Sequence, residues 1–267
     1  MTDAELRSWR LAAEEAARHG AAALEEWRGR FTVTEKGRSD LVTDADHAAQ
    51  RAVRDSLDRL APGCDFLGEE GDPRGRPAPT DPPLWVVDPL DGTTNFVHDY
   101  PHYCVSVGLY AEGALVIGVI LDPRMNELFS AARGQGATLN GQPLAVSCTA
   151  HLAQALLGTG FPYDQPRQRK ALAWWAHFNS RAQSLRRSGS TALNLAYLAA
   201  GRFDGYWAFD NHPWDVAAGA VLVLEAGGAA THTDGSPFDP FRPDMAASNG
   251  RLHELLLAEL RTGPRPE

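Results

Sequence analysis

The stretch Leu84-Trp85-Val86-Val87-Asp88-Pro89-Leu90-Asp91-Gly92-Thr93-Thr94-Asn95-Phe96 decides how the chain is read. Residues 84–87 form an apolar run too short and too β-branched for a helix, which predicts a buried strand. Pro89 is expected to stop that strand. Asp91 then stands at an N-cap position ahead of Gly92, Thr93 and Thr94. Free N–H groups of the next turn would point the same way as two carboxylates, Asp88 and Asp91. Donors at a helix start hold anions, whereas carboxylates hold hard cations such as Mg²⁺. A site with both suits a phosphate bridged by metal; a capped turn with solvated acids is the plainer alternative.

Working outward toward the amino terminus, the segment Phe66-Leu67-Gly68-Glu69-Glu70-Gly71 is a second apolar approach ending in paired acids. Residues 72–83, rich in Pro, Gly and Arg, predict a surface loop. Residues 4–27 have helical periodicity and Gly29 ends that helix. A short strand is expected at 31–34, a polar loop at 35–40, and a second helix starting over 41–46. Its apolar face runs through Ala45, Ala49, Val53, Leu57 and Leu60. Thr43 and Asp46 have capping-box spacing, which gives Asp46 a purely structural reading.

Toward the carboxyl terminus the pattern turns to strands over 103–110, 114–121 and 127–131, with a turn at 122–126. Asn140-Gly141 is a hairpin signal, closing a meander near Val146. A sheet built this way is largely antiparallel. Helices follow at 168–179 and 191–200, then a strand at 206–209. Pro213-Trp214-Asp215 opens a helix that is apolar almost all round, so Asp215 is placed at a buried helix start. The helix dipole favours an acid there, and so would a metal. A last helix is expected at 252–260, before a disordered Pro/Arg tail.

The 267 residues carry a formal charge of -9, which argues against a nucleic-acid partner held by a basic surface. No apolar run approaches the roughly 18 residues of a membrane span, and no secretory signal opens the chain. Cys64, Cys104 and Cys148 lie far apart, without zinc or disulfide spacing, which fits a cytoplasmic setting.

Acids therefore stand at four separated element ends: Asp46, Glu69 with Glu70, Asp88 with Asp91, and Asp215. Oxygen ligands without a His or Cys cluster select Mg²⁺ or Mn²⁺ over zinc. Phosphate monoester hydrolysis, among the slowest reactions in water, is a task for paired metals of this kind. No GxxxxGK[ST], GxSxG or HExxH motif occurs. Phosphatases that form an aspartyl-phosphate carry DxDGT. Here two residues separate the acids, which turns the second carboxylate elsewhere and favours attack by metal-activated water.

The chain resembles the inositol monophosphatase family. Its signatures are matched by Asp88-Pro-Leu-Asp91-Gly-Thr93-Thr-Asn-Phe96, Gly68-Glu69-Glu70, Asp40-Leu-Val-Thr43-Asp-Ala-Asp46, and Trp214-Asp215-Val-Ala-Ala-Gly219 with Glu225-Ala-Gly-Gly228. Gly160-Phe-Pro-Tyr163, Arg187-Ser-Gly-Ser190 and Ser248-Asn-Gly250 extend the similarity over nearly the full length. The resemblance implies an α/β (α+β) fold, an alternating layered sandwich with a largely antiparallel N-terminal sheet and a second, smaller sheet. Residues 1–147 would carry most metal ligands and 148–267 would close the substrate side, as one functional unit. A cytoplasmic homodimer, lithium-sensitive and using two or three Mg²⁺ ions, is implied as well. Glu69, Asp88 and the Leu90 carbonyl would hold one metal, Asp88, Asp91 and Asp215 the second, and Glu69 would help a third. Thr93, oriented by Asp46 and assisted by Glu70, would activate water. Gly92 and Thr93 N–H groups would take the phosphate, while Ser190, Thr191, Ala192 and Asp215 would line the alcohol side.

The expected activity is hydrolysis of a small polyol phosphate, inositol 1-phosphate foremost. Histidinol phosphate, fructose 1,6-bisphosphate, NADP and 3′-phosphoadenosine 5′-phosphate are the alternatives within the class; a regulatory binding protein retaining the fold is the alternative outside it. One departure concerns the alcohol. Inositol-specific members commonly carry a glutamate for ring hydroxyls in the strand before Trp-Asp, where this chain has Ala208. Loss of that acceptor weakens discrimination for inositol, with Asp210, Asn211 or His212 as substitutes.

Overall fold

The computed structural model describes residues 1–37, 40–71, 82–162 and 165–264. Most of the expected surface loop at 72–83, Tyr163 and the last three residues of the tail lie outside the described residues.

Helices α1 (Asp3–Trp27) and α2 (Asp44–Leu60) each start on a capping box, Thr2 with Glu5 and Thr43 with Asp46. Between them β1 (Val33–Gly37) and β2 (Asp40–Thr43) pair antiparallel, with Thr34 opposite Val42. This pairing corrects the expected polar loop at 35–40 and places the helix start, expected over 41–46, at Asp44. With Thr43 as N-cap in extended geometry, Leu41 and Val42 lie before the helix and are free to pair.

The larger sheet contains β3 (Asp65–Gly68), β4 (Leu84–Asp91), β5 (Cys104–Ala111), β6 (Ala114–Asp122), β7 (Glu127–Ala132), β8 (Ala137–Leu139) and β9 (Gln142–Pro143). Its spatial order follows the chain, and only β3 and β4 run parallel. The turn expected at 122–126 and the Asn140-Gly141 hairpin are both present, Asn140 and Gly141 having φ of 49° and 79°. A five-residue helix, α3 (Thr93–Val97), follows β4.

The smaller sheet has the order β11 (Ser184–Arg186), β10 (Leu156–Thr159), β12 (Gly205–Ala208), β14 (Met245–Ser248), β13 (Ala229–Thr231). Its first three strands are parallel and the last two antiparallel. Helices α4 (Gln165–Asn179), α5 (Thr191–Ala199), α6 (Pro213–Glu225) and α7 (His253–Thr262) complete the chain.

Apolar clusters stack these elements into alternating layers. α1 and α2 pack on one face of the large sheet through Ala13, Ala17, Val53, Val87 and Val107. α5 and α6 fill the space between the two sheets. α4 and α7 cover the far face of the small sheet through Trp174, Phe178 and Leu256. α6 is apolar all round because it has sheet or helix on every side. It approaches the large sheet closely at two glycines. A Cβ on Gly118 would stand 2.2 Å from the Ala218 carbonyl oxygen, and one on Gly108 2.9 Å from the Ala217 Cβ.

Candidate active site

The acids of the opening stretch are placed by a bulge. Along β4, Asp88 pairs with Ser106 and Asp91 with Cys104, so three steps on β4 match two on β5. Residues three apart on a regular strand face opposite ways; one extra residue restores the same side. Asp88 and Asp91 therefore share a face. It is the face of α6, because Leu84 and Val86 pack there on Trp214 and Ala217. The expected strand end at Pro89 is corrected. β4 continues to Asp91, and a residue without an N–H is tolerated where the ladder is already broken by the bulge. The Leu90 N–H donates to Asp88 Oδ1 at 3.0 Å and holds the extra residue in place.

Asp91 is not the N-cap of the next turn. That position belongs to Gly92, whose φ of 102° is left-handed. A Cβ there would lie 3.0 Å from the His102 carbonyl oxygen. The Asp91 carboxylate instead reaches the other half of the chain. Its Oδ2 accepts the Ala192 N–H at 2.6 Å and the Ser190 hydroxyl at 2.7 Å, at the start of α5. The Asn95 amide makes a second tie, donating to the His102 and Ser188 carbonyls at 2.7 and 2.9 Å.

Alternation also separates the paired glutamates. Leu67 packs on the α6 side and Phe66 on the α1–α2 side. Glu69 continues the Leu67 side and lines the same cavity as Asp88. Glu70 is buried; its N–H donates to Gln50 Oε1 of α2 at 2.9 Å, and its charge acts on Asp46. Asp215 sits in the first turn of α6 and accepts the His212 N–H at 2.7 Å.

Glu69, Asp88, Leu90, Asp91, Gly92, Thr93, Ser190, Thr191 and Asp215 line one cavity of about 330 Å³ between the two sheets. Asp46, Glu70 and Ala192 stand behind its wall. Asp46 Oδ2 accepts both the N–H and the hydroxyl of Thr43 at 2.7 Å. Its Oδ1 lies 3.2 Å from Thr93 Oγ1, which is 3.1 Å from the Leu90 carbonyl. The capping role and the orienting geometry are thus two ends of one carboxylate.

Burial pushes the Asp46 carboxyl up to about 6, against the Thr43 hydrogen bonds. Asp91 is also raised to about 6 by burial, against the Ser190 and Ala192 donors. Asp88 is held well above the carboxylate range by burial, then by the charges of Glu69, Asp91 and Asp215. Asp215 is raised in the same way, by burial and then by Asp91. Acids that oppose one another in a shared cavity favour either protons or a cation. Oxygen donors alone fit a hard divalent ion. Among the described residues no three His, Cys, Asp or Glu side chains stand close enough to form a closed metal cage. The acids share a wall without being in coordination geometry.

Thr159, Phe161, Arg187 and Asn194 line the rest of the wall, together with Ala208, Asp210, Asn211, His212 and Trp214. Of these, Ala208 and the three residues Asp210, Asn211 and His212 were expected on the alcohol side, whereas the others had no assignment from the sequence. Phe161 and Arg187 lie within motifs that marked the segments but gave these two residues no role. Cys104 lies beside the acids, its Sγ 3.7 Å from Ser190 Oγ, and burial raises its thiol well above the ordinary range. A single cysteine inside a strand carries no sequence signal for that position.

The fold has close counterparts. The model of the inositol monophosphatase family matches residues 5–265. An inositol-1-monophosphatase of Synechocystis sp. is 40% identical over 264 residues, covering 98% of this chain and 91% of that protein. A protein of Pseudomonas aeruginosa named Nus factor SuhB is 40% identical over 237 residues, 86% of each chain. The solved structure of an inositol monophosphatase from Anabaena (Nostoc) sp. superposes with a TM-score of 0.85 at 39% identity, covering 98% of both chains. On this agreement of motifs, layers and full-length similarity, the chain belongs to the inositol monophosphatase family and is a phosphoric monoester hydrolase.

Proposed function

We propose that the chain is a Mg²⁺-dependent phosphatase of small polyol phosphates, inositol 1-phosphate among them. The observation that carries this reading is the meeting of Glu69, Asp88, Asp91 and Asp215 on one cavity wall beside Thr93. In this reading Glu69, Asp88 and the Leu90 carbonyl hold one ion, and Asp88, Asp91 and Asp215 a second. Glu69 contributes to a third, and Mn²⁺ substitutes for Mg²⁺. Divalent ions bound there supply positive charge to the phosphoryl oxygens and lower the pKa of water.

The chain's own groups do the rest. The first-turn N–H groups of a helix have no intrahelical partner, so those at Gly92 and Thr93 receive the phosphate. With its hydroxyl proton given to Asp46, Thr93 turns its lone pairs toward the cavity, where they orient the attacking water. Glu70, whose charge acts on Asp46 from behind the wall, assists Thr93 in activating that water. Ser190, Thr191 and Ala192 fix the alcohol side, and Asp215 faces the ester oxygen. Residues 1–147 and 148–267 act as one unit across the cavity. A homodimer, which light scattering tests, is the proposed assembly.

Phosphate release from inositol 1-phosphate and a panel of sugar phosphates tests the reading. Activity is expected with Mg²⁺ or Mn²⁺, and Asp88→Asn is expected to lower kcat by about 10²–10³-fold or more. Full activity in Asp88→Asn, or no release with either metal, overturns it. The likeness to the Nus factor SuhB favours a second reading, a partner-binding role on the same fold. Such a role would persist in Asp88→Asn, which separates it from hydrolysis.

A further inference from the structure

The alcohol side of the cavity holds a cation that nothing in the reaction above uses. Arg187 is exposed at the cavity wall, just before the Ser190 N-cap of α5. Among the described residues it has no carboxylate partner. Its one contact of note is with the Phe161 ring, whose centroid lies 6.0 Å from the guanidinium carbon. Phe161 is itself held edge-on against Trp175 at 5.8 Å. An aromatic face steadies a guanidinium without occupying its N–H donors. The five donors of Arg187 are therefore available to whatever enters the cavity.

Around Gly160, next to Phe161, the described residues offer few free groups to a polyol. Ala208 presents a methyl group, and the space over Gly160 is bounded by the Tyr206 hydroxyl, the Ala208 Cβ and the Thr191 hydroxyl. Two of these groups are engaged with each other, Thr191 Oγ1 lying 3.1 Å from Tyr206 OH. The Asn211 amide nitrogen is spent on the Pro243 carbonyl at 3.1 Å, and the Asp210 carboxylate pairs with Arg167. Hydroxyl recognition is thus partly consumed within the protein, while anion recognition is not.

We propose that Arg187 is a specificity-determining residue that binds a second anionic group, phosphate or carboxylate, on the alcohol part of the substrate. This inference rests on the phosphatase reading of the cavity. Within that reading it gives preference to esters carrying two anionic groups, a sugar bisphosphate being the simplest case. Guanidinium meets either anion through two parallel N–H···O bonds, which a neutral hydroxyl cannot offer.

Fructose 1,6-bisphosphate and fructose 1-phosphate differ only in the second phosphate, and their kcat/KM values give the test. The wild-type chain is expected to favour the bisphosphate, and added salt to reduce that preference. In Arg187→Ala the ratio of the two kcat/KM values should fall by about 10- to 100-fold, mainly through KM of the bisphosphate, with Arg187→Lys between. The salt dependence of the ratio should disappear with the guanidinium. The inference is overturned if the wild type shows no preference, or if Arg187→Ala lowers both substrates equally. Replacing the bisphosphate by 3-phosphoglycerate, and fructose 1-phosphate by glycerol 3-phosphate, which lacks the carboxylate, shows whether a carboxylate serves as the second anion. Absence of hydrolysis for every ester would instead refute the phosphatase reading itself.

Discussion

Beside the turn between β6 and β7, the Asp122 carboxylate is buried away from the cavity. Its Oδ1 accepts the Arg124 and Met125 N–H groups at 2.8 and 3.0 Å, while among the described residues Oδ2 has no hydrogen-bond partner. Burial raises this carboxyl to about 6. An unfolded aspartate titrates near 3.9. Between those two values the folded chain binds a proton that the unfolded chain has released, so stability falls as pH rises. The contribution is fully present below pH ~4 and is lost above pH ~6. Asp122→Asn keeps the two N–H acceptor bonds and removes the charge. The Tm of the variant minus that of wild type should therefore increase between pH 4 and pH 7.5. The change corresponds to about 1–3 kcal/mol, or several degrees in a chain of this size. Thermal melts at the two pH values read this difference; one that does not change with pH would remove the raised pKa.

At the scale of elements, the acids depend on how closely α6 lies on the large sheet. The Gly118 position faces the Ala218 carbonyl oxygen with no room for a methyl group, since its Cβ would be 2.2 Å away. Backbone cannot yield as a flexible side chain does, so Gly118→Ala must lift α6 or bend β6. A loss of about 1–3 kcal/mol is expected, with a weaker apparent affinity for Mg²⁺ because Asp215, a proposed ligand, rides on α6. Denaturant melts and a metal titration measure both; unchanged stability would show that the contact is not rigid. The same scale separates what sequence reasoning reached from what it missed. Strands and helices with clear periodicity were legible, as were the acids at their ends. The capping box at Thr43 and Asp46 was legible too, whereas the meeting of the second oxygen of Asp46 with Thr93, 47 residues away, was implied by the family resemblance alone and not by any local pattern. Pro89 reads locally as a stop, and only pairing with β5 turns it into a bulge that places Asp88 and Asp91 on one face. Asp91 resembles an N-cap because its neighbours are helix starters. Its true partners, Ser190 and Ala192, are tertiary and leave no mark at residue 91.

For the whole molecule, the proposed metal site links elements that, among the described residues, touch through apolar packing and a few hydrogen bonds. Glu69 and Asp88 come from the large sheet and Asp215 from the helix between the sheets. Without a cation their charges oppose each other across the cavity, which is why burial and mutual repulsion raise Asp88 and Asp215 together. A ligand that binds only the folded chain stabilises it by RT ln(1 + [L]/Kd), about 2.7 kcal/mol at a hundredfold excess over Kd. At about 2–4 °C per kcal/mol, Mg²⁺ should raise Tm by roughly 5–10 °C. Asp215→Asn removes one repelling charge, so the metal-free variant should be no less stable than wild type while most of the Mg²⁺ shift is lost. Scanning calorimetry with and without Mg²⁺ at pH 7.5 gives all four values. If wild type and Asp215→Asn respond equally to the ion, Asp215 is not a ligand, and the helix between the sheets does not take part in holding the metal.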